Sequence, residues 1–429
     1  MTMLTRRRGS TLVATLAGIL GALSTWHALQ PALQVPVPTF ANRSEERMQD
    51  FRDALYYPVR EVLRGGNPYD PAGMLTHWPV RQDFNLYQPY HLVLHLPFAL
   101  PGYRVGAVAF ALVSLLLLIL LAAMAATGLR PWIQVPIVTG TVALSALLVT
   151  SQVGKAQLYV GQVNPLIAVG AAGVLLARRN SPGWASVALA AAWLKPQFGL
   201  PLAVLLFVRG SRRVAVLGTA IAAAASLPVV ILLIGRGGGL GAFLDAIGAN
   251  LDYARSTDYG AVDSMTAERI DIPAVLFRVT GWVPPAAEAI ALVAVLTVTA
   301  LLVRRLDRTG RPDHGAVADL LTCLGVVAAV VHQPGDVLIA LPAMVVAAAV
   351  WWRRRHESGW ALLAAAVIAL SVPYAHLFVI DTAIRSVLGG RVAVTVDGVA
   401  VVLCWLLLVV LAVRLSRQVA ARRVTSGVP

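Results

Sequence analysis

Long, almost uncharged apolar blocks recur along this chain; Val105 to Leu129 is one and Ala393 to Val413 another. A helix needs about 20 apolar residues to cross a bilayer. Inside a bilayer each backbone group must find its partner within the protein, which leaves helices or closed barrels. The blocks are rich in Ala, Leu and Val and show no period-2 alternation, so they read as helices and not as barrel strands. Composition agrees: hydrophobic residues make up 58% of the 429 positions and charged residues only 13%. That is too little polar surface for a soluble domain of this length. The expected fold is an all-α, polytopic transmembrane bundle filling residues 1–429 as one integral membrane domain.

Spans are expected near 9–30, 104–127, 133–150, 160–177, 183–194, 197–208, 214–235, 284–303, 314–331, 335–352, 359–377 and 396–413, that is, about 11–13 crossings. The fifth and sixth are too short to cross alone and read as a hairpin broken at Lys195-Pro196. Arg6-Arg7-Arg8 before the first block also fits a secretory signal, but the block is long, so an uncleaved first helix is the reading preferred here. Cys323 and Cys404 lie in apolar stretches and read as small core side chains, with no disulfide framework or metal site implied.

Charge gives the bundle a direction. The short connections expected on one side of the membrane, every second one along the chain and both ends, hold Arg6–Arg8, Arg130, Arg178-Arg179, Arg209/Arg212/Arg213, Arg304/Arg305/Arg308/Arg311, Arg353–Arg355 and Arg414/Arg417/Arg422/Arg423. Positive loops stay cytoplasmic. Both termini are therefore expected in the cytoplasm of a cell whose inner (plasma) membrane holds the protein. The net charge of +14 is a topology signal and an attraction to anionic lipid heads, with no need of nucleic acid as partner. Two longer segments, 31–103 and 236–284, fall on the extracytoplasmic side. Partial helices are expected there, one amphipathic from Asn42 to Leu63 and one proline-interrupted from Leu86 to Leu100.

The unusual polar residues fall at that outer end. Asp50 and Asp53 stand in MQDFRDALYYP, and a spacing of three puts them on one helix face. RGGNPYDP, Arg64 to Pro71, is turn chemistry expected to expose Tyr69 and Asp70. NLYQPYH carries Tyr87, GQVNP carries Gln162 and Asn164, WLKPQ carries Lys195, and VVHQPGD carries His332. Each has an ordinary reading: a solvated helix face for either aspartate, a plain turn, interhelical hydrogen bonds for Gln162 and Asn164, packing for His332. Lys195 resists that reading. The chain has only two lysines, Lys155 and Lys195, and an amine at a broken membrane helix is costly without a polar partner or an anionic ligand.

In this order the motifs resemble glycosyltransferase family 87, GT-C fold enzymes that use polyprenyl-phosphate sugars and include actinobacterial mannosyl- and arabinofuranosyltransferases. The carrying residues are DFRDALYYPVREVLRGGNPYD, YQPY at Tyr87 to Tyr90, GQVN at Gly161 to Asn164, Lys195-Pro196, and a looser match at VVHQPGD, spread over roughly residues 40 to 350. The chain departs from the pattern in offering two aspartates where one is expected, and in lacking the aromatic residues that usually follow the late histidine.

The resemblance implies a membrane transferase moving a sugar, mannose first and arabinofuranose as the alternative, from a polyprenyl-phosphate donor to a glycan or glycolipid acceptor on the outer face. Such a single displacement needs a base for the acceptor hydroxyl and a cation for the departing phosphate. Asp50 or Asp53 would be the base. Lys195 would meet the phosphate with His332 and Arg64 assisting, and Tyr69, Tyr87, Gln162 and Asn164 would meet sugar hydroxyls. No cofactor beyond the lipid-linked donor, and no metal, is implied. A transporter is the competing class; it predicts inverted repeats and mid-membrane charges, and neither is visible in the sequence.

Overall fold

The computed structural model describes residues 3–257, 259–376 and 378–425. Every described element is helical, with no strand among the described residues. All twelve stretches read as spans form helices. Seven helices are long and apolar enough to cross a bilayer, among them Tyr103–Leu129, Arg212–Arg236 and Gly390–Gln418. An eighth crossing arises if Ile137–Thr150 and Gln152–Val160, which meet at a bend of 68°, count as one broken span. Asn164–Ala177, Pro182–Ala192 and Pro196–Val208 are apolar but short. At about 1.5 Å per residue they reach roughly 17–21 Å, well under a hydrocarbon thickness of about 30 Å. The chain is a polytopic helical membrane protein whose short helices are packed into the bundle and end within it.

The Pro312–Ala329 helix is the axis of the bundle. Nearly all of its side chains are buried, as expected of a helix apolar all round. Around it pack Ala287–Asp307, Gly390–Thr425 and Leu341–Arg354. Small residues allow close approach, as where Gly325 meets Thr299 and Gly170 meets the backbone of Ala188.

At one end, arginines of the short loops are bound to few acids. Asp307 takes Arg209 at 2.7 Å, Arg179 at 3.3 Å and Arg178 at 3.4 Å. Arg209 also reaches Asp319 at 2.7 Å. Asp313 joins Arg311 and Arg354 at 2.8 and 2.9 Å. Three loops distant in sequence are thereby tied together.

The two long loops lie at the other end and close on one another. Asn85 and Asn250 exchange two hydrogen bonds, Asn85 N–H to Asn250 Oδ1 at 2.8 Å and Asn250 Nδ2–H to the Asn85 carbonyl at 2.9 Å. The Ile270 N–H donates to the His332 carbonyl at 2.9 Å. The first loop differs from its expected helix. Residues from Asn42 to Met48 form a turn, because Asn42 accepts the Thr39 N–H and donates to the Val37 carbonyl while Arg47 clasps Glu45. Helix begins only near Asp50. The Leu86–Leu100 stretch becomes two short helices, His91–Leu94 and Leu96–Ala99, broken at His95, with Pro97 in the first turn of the second, where its missing N–H cannot continue the first.

Candidate active site

The chain is pinned immediately before Asp50. Met48 is fully buried with a left-handed φ of 56°, and its N–H donates to the Tyr159 carbonyl at 2.7 Å. From Phe51 to Tyr56 the backbone widens into a π-helical turn, a feature common at functional sites. The widened turn separates the two aspartates that α-helical spacing places on one face. Asp53 turns into the protein and is 2% exposed. It receives Arg52 Nε at 2.6 Å and Nη2 at 3.1 Å, with the backbone N–H groups of Arg81 and Gln82 at 3.2 and 3.0 Å. Its oxygens are fully engaged in clamping the loop, and burial pushes its carboxyl up to about 6 against the pull of Arg52.

Asp50 turns the other way and lines two adjoining cavities of about 340 and 520 Å³. Although deep in the protein it stays partly open to that space. Burial raises its carboxyl pKa; Lys195 and Gln162 oppose the rise and Asp336 adds to it. Gly161 makes this placement possible. It ends the Gln152–Val160 helix with a φ of +73°, and a Cβ there would stand 2.7 Å from the Phe51 Cβ.

Lys195 sits where two short helices meet. Pro196 forces it into an extended conformation, φ −109° and ψ 112°, which ends the Pro182–Ala192 helix and sends the amine inward. Its Nζ donates to Asn164 Oδ1 at 2.9 Å and lies 5.5 Å from the centre of the Tyr87 ring. Asn164 Nδ2 in turn donates to Asp336 Oδ1 at 2.8 Å and to Gln162 Oε1. Asp336 Oδ2 accepts the Gln333 N–H at 3.0 Å and lies 2.9 Å from His332 Nδ1. A proton on Nδ1 held by Asp336 leaves Nε2 as the acceptor. Nε2 has no hydrogen-bond partner among the described residues, and His332 lines the smaller cavity while resting on Phe198, 4.4 Å between ring centres.

Six of the nine residues singled out in the sequence thus converge: Asp50, Tyr87, Gln162, Asn164, Lys195 and His332. Tyr69 stands one step behind. The expectation of exposure fails for it; it is 3% exposed and its hydroxyl donates to the Tyr87 carbonyl at 2.9 Å. Asp53 belongs to the supporting clamp. Arg64 is exposed at the end of the Tyr57–Arg64 helix and lines neither cavity, so it does not join Lys195. Lys155 likewise lines neither.

Two residues escaped the sequence reading. Asp336 stands inside the quoted VVHQPGD motif, four positions after His332, a spacing that could have marked a His–Asp pair. Tyr259 lines both cavities and comes from the second loop, where no local pattern points to it. Tyr259 is 38% exposed at its edge, but desolvation of its hydroxyl, with the Asp50 and Asp336 charges added, raises its phenol pKa, so it stays a hydrogen-bond donor.

The arrangement pairs a carboxylate of raised proton affinity with a buried ammonium and a histidine across one cavity. It can take a proton from a hydroxyl and hold an anionic group beside it. Tyr87, Gln162, Asn164, Lys195 and His332 lie within residues 85–334, more than half of the chain, which match the model of Glycosyltransferase family 87. No curated protein and no solved structure matches the chain at a significant level. On the family match, which covers those five site residues and more than half of the chain and leaves Asp50 and Asp336 outside it, the chain belongs to glycosyltransferase family 87.

Proposed function

We propose that this membrane glycosyltransferase moves a sugar, mannose first, from a polyprenyl-phosphate donor to a hydroxyl of a glycan or glycolipid acceptor. The observation that carries the reading is the convergence of Asp50 and Lys195 on one cavity from separate parts of the chain. The acceptor O–H gives its proton to the Asp50 carboxylate as its oxygen attacks the anomeric carbon. The bond from that carbon to the phosphate oxygen breaks, and the polyprenyl phosphate leaves with the electron pair. Lys195, held by Asn164, faces the growing negative charge. Attack and departure on opposite faces invert the anomeric centre.

Leu86, Leu251, Leu292 and Val330 line the same cavity. They suit a lipid-borne donor entering from the bilayer. The arginine-rich loops belong on the cytoplasmic side and the cavities on the extracytoplasmic side, where nucleotide sugars are absent and an activated lipid-phosphate donor takes their place.

Membranes containing the protein should transfer label from radiolabelled polyprenyl-phosphate mannose. Transfer from polyprenyl-phosphate arabinose instead would move the sugar assignment to arabinofuranose. Transfer from neither would overturn the donor class.

A further inference from the structure

The larger cavity meets the smaller one at Asp50, Tyr259 and Gln333, which line both. Beyond that junction its charge differs. It is walled by the carboxylates of Glu268, Asp381 and Asp397 against the single guanidinium of Arg385, with His376 among them. His376 is 8% exposed; its Nδ1 lies 2.9 Å from Asp397 Oδ1. Its Nε2 has no hydrogen-bond partner among the described residues and stands 3.8 Å from Asp381 Oδ1. Arg385 holds Asp381 at 2.6 Å and reaches Glu268 at 3.5 Å. A buried, oriented imidazole nitrogen with no partner beside fixed carboxylates offers hydrogen-bond partners to hydroxyl groups, and an excess of carboxylates repels a phosphate.

We propose that the larger cavity is the acceptor site, and that it selects a neutral polyol, a sugar whose hydroxyls bond to His376 Nε2 and Asp381, over a phosphorylated one. Charge sorts the two substrates: the anionic leaving group lies on the Lys195 side of Asp50 and the neutral acceptor on the carboxylate side. The inference rests on the transferase reading above.

The test uses full-length protein in nanodiscs, with octyl α-mannoside and octyl glucoside below their micelle concentrations as neutral probes and their 6-phosphates as anionic ones. A neutral probe should bind more tightly than its phosphate. Asp381→Asn and Glu268→Gln should each weaken it roughly tenfold, the scale of one hydrogen bond to a charged group, while Lys195→Gln leaves its Kd unchanged. Glu268 is exposed at its edge, so Glu268→Gln reports even if Asp381→Asn does not fold. Phosphate probes binding as well as neutral ones, or neutral binding that ignores both carboxylate variants, would overturn the assignment. Farnesyl phosphate separates the two readings. Its binding should be lost in Lys195→Gln; if it is not, the donor reading fails while the acceptor result stands by itself.

Discussion

At Asp50 the chemistry depends on a carboxylate that is deprotonated yet unusually ready to take a proton. Burial outweighs Lys195 and Gln162, so its pKa lies above the ordinary aspartate value of 3.8. A base works in its ionised form, so transfer should fall as pH drops through that raised value. The acid limb of kcat/KM against pH is expected above 3.8, and a profile flat down to pH 4 would contradict the role. Asp53 shares the sequence neighbourhood but its oxygens are taken by Arg52 and two backbone N–H groups. Which aspartate faces the cavity was not legible in the sequence, because α-helical spacing puts both on one face and only the π-helical turn parts them. Lys195 was legible. It is one of two lysines, stands directly before a proline, and has to find a polar partner at a break between apolar helices; Asn164 is that partner.

Among the elements, the contact between the Gln152–Val160 helix end and the Asp50 turn carries the site. Gly161→Ala would place a methyl 2.7 Å from the Phe51 Cβ at a φ of +73°. The left-handed conformation alone costs a residue with a side chain roughly 1–2 kcal/mol, and relief of the clash must move Asp50. The expected outcome is a lower unfolding temperature together with a loss of transfer larger than stability accounts for, measured on protein at matched folded fraction. Full activity would show that the contact does not position Asp50. The long helices could be read from apolar runs because a bilayer demands them. The separate Gln152–Val160 helix could not be read as such, since its sequence, QVGKAQLYV, has no apolar run and its 68° bend from the preceding helix is set by packing. Tyr259 was hidden for a related reason: its position depends on how the second loop folds over the first through Asn250 and Asn85.

Across the whole molecule, charges segregate to two ends about 20 Å apart, the length of the Asn164–Ala177 helix at 1.5 Å per residue. At the arginine-rich end, Asp307→Ala should destabilise the protein by about 3 kcal/mol. It strips partners from Arg209, whose side chain is 0% exposed, although Asp319 keeps one bond to it. Thermal unfolding in nanodiscs should show this drop with farnesyl phosphate binding at the far end unchanged; an unchanged unfolding temperature would mean that this network does not hold the loops. The segregation was legible from arginine placement alone. The division of the other end into two cavities was not, since His332 and Asp336 of one and His376, Asp381 and Asp397 of the other come from stretches that no motif joins. Both cavities meet at Asp50. The direct measurement is the single-turnover rate of sugar transfer by Asp50→Asn at saturating donor. The predicted result is a fall of about 10²–10⁴-fold, the usual worth of a general base, with farnesyl phosphate binding intact. A rate equal to that of the unmodified protein would contradict it.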